Sequence, residues 1–197
     1  MGWGPSMELF TLILGFLFFN NLFLYFTFGW ETYLPAGMDT SSVLKQSLVL
    51  CLFFIFSSLL LWPIEVYLLE PFGLNLFRAP LYVLILWLLS EGLRLAWGQV
   101  FKTFHFPGIK VILTNSLVLG GVLLVMGKNL DFFTTFIVVL AASIGFLLAQ
   151  SLLLQLENRL IKEKLPAAFS GLPIQLISAG LMGLSFLGFS QFLLKGS

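Results

Sequence analysis

Residues 9–30 read LFTLILGFLFFNNLFLYFTFGW, a stretch without a single charged side chain, bounded by Glu8 and Glu31. A helix needs about 20 apolar residues to cross a hydrocarbon core of roughly 30 Å. The stretch therefore reads as a membrane span, and it carries two amides, Asn20 and Asn21, near its middle. It is too long for the apolar core of a secretory signal, and no Lys or Arg precedes it, so the span is expected to stay in the mature protein.

The rest of the chain repeats this composition. Of 197 residues, 59% are apolar, 16% aromatic and 10% charged, and the mean hydropathy is +1.03. A soluble domain carries roughly 25% charged and about 45–50% apolar residues. Ten basic residues, nine acidic residues and one His cannot cover the surface of a water-soluble globule of this length. A soluble enzyme and a disordered chain are thereby excluded. A net charge of +1 leaves no electrostatic footprint for nucleic acid. Five further apolar segments follow, at about 46–67, 81–101, 111–126, 132–156 and 172–194. The fourth span is short and contains Gly120-Gly121. The expected fold is an all-α membrane protein of six transmembrane helices, forming a single domain over 1–197.

Short connections rich in helix breakers separate the spans: Pro35 and Gly37, Pro71 and Gly73, Pro107 and Gly108, and Pro166. Trp3, Trp30, Trp62 and Trp97 fall near the expected helix ends, as an aromatic belt requires. Six passes put both termini on one side with Arg78, Lys128 and Lys195. The other side holds Lys45, Arg94, Lys102, Lys110, Arg159, Lys162 and Lys164. Basic residues accumulate in cytoplasmic loops, so both termini are expected outside. The most charged segment, 157–164, then reads as a solvated cytoplasmic helix end.

Polarity inside the hydrocarbon is the informative signal. Asn20 and Asn21 lie mid-span in the first helix, and Thr114-Asn115-Ser116 lie early in the fourth. These groups either form hydrogen bonds between helices or support a midplane site and a backbone break in the first and fourth helices. One such element in each half suggests a 3+3 inverted repeat, with halves of about 1–105 and 106–197. Glu91 sits midway along the third span, one turn before Arg94. It reads either as an intrahelical ion pair with Arg94 or as part of an ion or proton relay with Glu65. The ion-path candidates are thus Asn20, Asn21, Asn115, Ser116, Glu65 and Glu91. Ser178, Ala179, Gly180, Gly183, Ser185 and Gly188 form a small-residue stripe suited to close helix packing. His105 reads as a solvated loop residue, and the one cysteine, Cys51, as a small apolar residue. No hydrolase triad, phosphate-binding glycine loop, heme-type His pair or zinc spacing occurs in the sequence.

Three motifs carry a resemblance. They are Asn20-Asn21 followed by Gly29, Leu113-Thr114-Asn115 followed by Val118-Leu119-Gly120, and Pro166 through Gly171. With Ser178 through Met182 and Gly188-Phe189-Ser190, they resemble the Rnf/Nqr membrane subunits, above all the one called A in Rnf and E in the Na⁺-translocating quinone reductase. The resemblance implies a six-helix inverted-repeat protein in the bacterial cytoplasmic (inner) membrane. It implies pairing with a homologous six-helix membrane subunit, together with other redox subunits of the complex. It also implies two cysteines in each of the paired chains that jointly hold an intramembrane [2Fe–2S] cluster. Aligned on the motifs, those cysteines fall at Glu31 and Ser116, so both former cluster-ligand positions lack a thiol. The cluster is therefore expected to be absent, with no metal bound by this chain alone. The leading expectation is a membrane subunit of an Rnf/Nqr-like electron-transport complex linked to Na⁺ or H⁺ translocation. The alternatives are a stand-alone inverted-repeat transporter or channel for a cation or small solute, and an assembly factor or structural paralogue.

Overall fold

The computed structural model describes residues 5–32, 40–100, 115–160, 166 and 171–195; the side chains of 5–8, 93, 94, 96–100 and 189–195 fall outside this description. Without water to bond exposed peptide groups, apolar segments pair their backbone internally, and helix is the form that does so within one segment. Six α-helices and no strand occur among the described residues: α1 (Pro5–Leu14), α2 (Thr40–Ile64), α3 (Arg78–Val100), α4 (Ser116–Met126), α5 (Phe132–Leu160) and α6 (Leu172–Lys195). α1 and α2 each continue into one wider π-helical turn, Gly15–Phe19 and Glu65–Leu69. α2 with its extension, and α5, are 30 and 29 residues of apolar helix, long enough to cross a bilayer.

These two long helices form the centre and run antiparallel. Asn158 Nδ2 donates to Thr40 Oγ1 at one end (3.1 Å), Cys51 Sγ lies 3.7 Å from the Ser143 carbonyl midway, and Trp62 Nε1 donates to the Leu130 carbonyl at the other end (2.9 Å). α4 packs on α2, and the segment after α1 packs on α5. Leu50, Phe54, Leu61, Val122, Phe146 and Leu153 are wholly buried among them. The start of α5 is capped by Asp131, whose carboxylate accepts from the Thr134 N–H (3.0 Å). The Thr134 hydroxyl and backbone hold the Asp131 carboxyl below the usual carboxylate range. That contribution is present at neutral pH and is lost as pH falls through the lowered value. The outward faces of α2, α3 and α6 present Leu52, Phe56, Trp87, Leu88, Leu181 and Leu184, a surface matched to lipid.

The structure departs from the sequence expectations at particular places. The first span is not one helix over 9–30: it stops at Phe19 and gives way to a folded, non-helical loop. α2 begins at Thr40, six residues before the expected 46. α4 begins at Ser116, while 111–114 and the loop with His105 lie outside the described residues. The small-residue stripe of α6 is only partly a packing seam. Ala179 is buried and Gly183 approaches the Leu24 carbonyl, but Gly180 and Gly188 have nothing within 4 Å. α6 lies at the edge of the bundle, so the remainder of the stripe points away from it.

The tightest backbone approach of a helix to its neighbour is at Gly145 of α5. A Cβ there would lie 2.6 Å from the Leu17 carbonyl oxygen and 2.9 Å from that of Phe16. Both are backbone atoms of the π-helical turn, which cannot rotate aside. Gly145→Ala is expected to destabilise the protein by about 1–3 kcal/mol, the range for overpacking. Gly180→Ala, with open space around it, is expected to leave stability unchanged. Thermal unfolding of the two variants in detergent checks the contrast.

Candidate functional site at the interrupted helix

The interruption begins where the Asn20 N–H reaches back five residues to the Gly15 carbonyl. A π-helical turn of this kind leaves the next peptide groups without helical partners. Asn21, wholly buried, supplies them. Its Nδ2 donates to the carbonyls of Leu17 (3.1 Å) and Gly145 (2.7 Å). Its Oδ1 accepts from the N–H groups of Phe23 (2.9 Å) and Leu24 (3.3 Å). One side chain therefore serves both sides of the break and ties it to α5. Beyond it the chain folds on itself, through Tyr25 N–H to Asn21 carbonyl (2.9 Å) and Phe28 N–H to Leu22 carbonyl (2.8 Å). Trp30, one of the tryptophans near an expected helix end, makes its contacts within the junction. It stacks on Phe23 and donates from Nε1 to the Phe23 carbonyl (3.0 Å), because the break frees that acceptor. Gly29 has φ +79°, and a Cβ there would meet the Phe146 ring at 2.5 Å, so both conformation and space require glycine.

The break faces the start of α4. Asn115 is its N-cap: extended in backbone, buried, with Oδ1 accepting from the Leu117 N–H (3.0 Å). The start of α4 and the loop after α1 meet. The Gly29 N–H donates to Ser116 Oγ (2.9 Å), Ser116 Oγ donates to Glu31 Oε2 (3.1 Å), and the Ser116 N–H donates to Glu31 Oε1 (3.2 Å). A carboxylate thus sits at the N-terminus of a helix, where the helix dipole favours negative charge. Next to it, Thr32 is held by its hydroxyl on the Gly29 carbonyl (2.6 Å) and by Gln150 Nε2 of α5 (3.3 Å). Among the described residues, Asn115 Nδ2 and Gln150 Oε1 are buried without hydrogen-bond partners.

Of the residues singled out in the sequence, the structure gathers Asn21, Asn115, Ser116 and Glu31 at this junction. Asn20 is at the break but exposed. Glu65 is elsewhere: it is buried at the π-helical end of α2, ion-paired with Arg78, and accepts from the Tyr82 hydroxyl (2.5 Å). It borders a small cavity with Val125 and Met126, at the opposite end of α4 from Ser116. Glu91 is half-buried on α3, nine residues beyond Tyr82, about 13 Å along the helix. Glu65 and Glu91 are therefore not brought together. The Arg94 side chain, and with it the expected Glu91–Arg94 pair, lies outside the described residues. Thr32, Gln150, Arg78 and Tyr82 were not anticipated. Gln150, an uncharged polar residue deep in an apolar helix, offered a signal of its own.

The donor set does not suit an iron–sulfur cluster. Such clusters are held by thiolates, with His as the known substitute, whereas Glu31 and Ser116 present hard oxygens already bonded to each other. Cys51 is on the α2–α5 contact, against Ser143. No group of three His, Cys, Asp or Glu that could hold a metal occurs among the described residues.

A bundle of apolar helices whose interrupted segment is paired inside the protein meets the backbone demands of a membrane protein. The chain belongs to the Rnf-Nqr subunit family of membrane proteins, which it matches over residues 9–193. It is 30% identical over 189 residues to the A subunit of an ion-translocating oxidoreductase complex from Azoarcus, covering 93% of this chain and 96% of the relative. It is 28% identical over 186 residues to the protein of that name from Shewanella loihica, covering 93% and 97%. The corresponding Rhodobacter capsulatus protein is 29% identical over 174 residues, covering 87% and 90%.

Asn21→Leu strands two buried N–H groups and the Gly145 carbonyl, each worth about 1–3 kcal/mol. It is expected to abolish folding or lower the melting temperature severely, whereas Asn20→Ala should be nearly silent. Yield and thermal unfolding in detergent provide the check.

Proposed function

We propose that this chain is an integral membrane subunit of a redox-driven, ion-translocating complex, and that it carries no [2Fe–2S] cluster of its own. The observation that carries the second half is the closed contact between Glu31 and Ser116, the positions at which the family resemblance expects thiolates. Electrons then travel elsewhere, or through a cysteine-bearing partner, and this chain serves as scaffold or ion path. The first half rests on family membership and on relatives named as subunits of ion-translocating oxidoreductase complexes.

The chain crosses the bacterial cytoplasmic membrane six times, with both termini outside and with halves of about 1–105 and 106–197 related by inversion. The antiparallel pairing of α2 with α5 and the meeting of the first interruption with the start of α4 support that arrangement. Its partners are the redox subunits of the complex and a homologous six-helix membrane protein. A stand-alone transporter for a cation or small solute is the second reading, favoured by the unpartnered amide atoms of Asn115 and Gln150 at the junction.

Two measurements decide. In vesicles containing the complex purified from its own host, Na⁺ or H⁺ flux should appear only while NADH or ferredoxin is oxidised. Flux without a donor, abolished by Glu91→Gln, would establish the stand-alone transporter instead. The chain purified alone should contain no stoichiometric iron or acid-labile sulfide; a cluster signal lost on Cys51→Ala would overturn the cluster-free reading.

A further inference from the structure

Between α6 and the interrupted segment lies a half-open groove of about 510 Å³. Its α6 wall consists of Leu176, Ala179, Gly180, Gly183, Leu184 and Leu187, whose three- and four-residue steps keep them on one face of the helix. Leu176 and Leu187 are eleven residues apart, about 16 Å of helix. Small residues in the middle open the space. A Cβ on Gly183 would come no closer than 3.9 Å to the Leu24 carbonyl oxygen, and one on Gly180 would meet nothing within 4 Å. The opposite wall is the turn and loop after α1, through Phe18, Phe19, Leu24 and Tyr25. Phe18 stacks on Phe186 of α6, with 6.1 Å between ring centroids, and so bridges the two walls. No charged side chain is among the described residues that line the groove. The groove also runs on to the outward face of α6, because Leu176, Leu184 and Leu187 both line it and are exposed.

We propose that this groove holds one acyl chain of a phospholipid from the leaflet at the α5–α6 connection. Continuity selects the occupant first: the groove opens on the face of α6 that meets hydrocarbon, where acyl chains are the surrounding medium. Length agrees, since half of a hydrocarbon core of roughly 30 Å is about 15 Å. A helix 10–12 Å across displaces more than about 1,200 Å³ over that length, so a neighbouring helix could lie only across the opening. Charge agrees as well. The walls are uncharged, while the Leu176 end lies one turn into α6, after a segment, 157–164, that carries Arg159, Lys162 and Lys164 against Glu157 and Glu163. A phosphate belongs at that end and a hydrocarbon tail along the rest. Water gains little between such walls, because the Thr27 hydroxyl already donates to the Phe26 carbonyl (2.6 Å). The tail takes the place of the side chains that α6 and the break do not set against each other. The site depends on the chain's place in a bilayer and not on the redox role proposed above.

The test places the full chain in vesicles of phosphatidylethanolamine and phosphatidylglycerol, doped with phosphatidylethanolamine that carries a photoreactive diazirine on one tail. Mass spectrometry then maps the adducts, which should fall on residues 18–25 as well as on α6. Gly180→Trp and Gly183→Leu put side chains into the groove and should melt like the wild type. They should lower the adducts on 18–25 at least about tenfold, the change expected when two tail methylenes lose their burial. Leu181→Trp, on the outward face, should leave those adducts unchanged. Wild-type chain without adducts on 18–25, or filling variants that keep them in full, would overturn the proposal. Gly180→Cys tests the other occupants, because Cys51 is buried. Its thiol should resist a membrane-impermeant maleimide, and rapid labelling would mean a groove filled by water instead. A photo-cross-linker at position 180 that captures a polypeptide in native membranes would mean protein seated there, and would overturn the proposal too. Should both filling variants melt lower than the wild type, the wild-type adducts and the maleimide result decide.

Discussion

Every peptide group buried in hydrocarbon must find its partner within protein, and one buried amide, Asn21, meets that demand at the point where the first helix stops. Four backbone groups converge on it, two donors and two acceptors. That use of both amide functions is what permits a buried non-helical loop. The arrangement also fixes the neighbours. Asn21 reaches the Gly145 carbonyl only because α5 lies against the π-helical turn without a side chain between them. The polar clamp and the glycine contact are one feature, since moving either backbone breaks both.

From this clamp the loop is carried to the start of α4. Phe23 is held between Trp30 and Phe146, and Gly29 is pressed under the Phe146 ring. These contacts set the Gly29 N–H and the Glu31 carboxylate on either side of Ser116. The junction is thus assembled from residues 85 or more positions apart, by aromatic packing that orients a polar turn. Chemistry at the junction follows from its oxygen donors. They form a closed hydrogen-bonded unit that needs no metal to bring its parts together.

The sequence made the helical membrane class legible because the lack of charge is spread along the whole chain. It also singled out Asn21 and Asn115, since an amide inside an apolar run has a cost that stands out locally. Asn20 carried the same signal and turned out exposed, because adjacent residues on a turning backbone point in different directions. For Trp30 only the position near a helix end was legible; that the helix had already stopped at Phe19, which puts the indole on Phe23, was not. Pairings across the chain were beyond local reading. Gln150 with Thr32, and Glu31 with Ser116, depend on how separate helices dock. The Glu65–Arg78 pair was closer to hand, because both residues were placed towards one end of the bundle, across the short α2–α3 connection.

The short helix α4 shows why its own start and the interruption after α1 belong to each other. Its 11 residues include Gly120 and Gly121, and a segment of that length is marginal on its own. Packing and end effects must hold it. Asn115 caps its first turn, and the Glu31 carboxylate bonds its first N–H. At its other end the Gly127 and Lys128 N–H groups turn back to the carbonyls of Leu123 and Val125, and the Lys128 charge lies on the favourable side of the dipole. The N-terminal charge comes from the loop after α1, not from α4 itself. α4 therefore depends on the first interruption being folded, and the first interruption loses its contact with Ser116 if α4 unwinds. That mutual dependence makes the junction a single structural unit, although its two strands of chain enter it from opposite halves of the sequence.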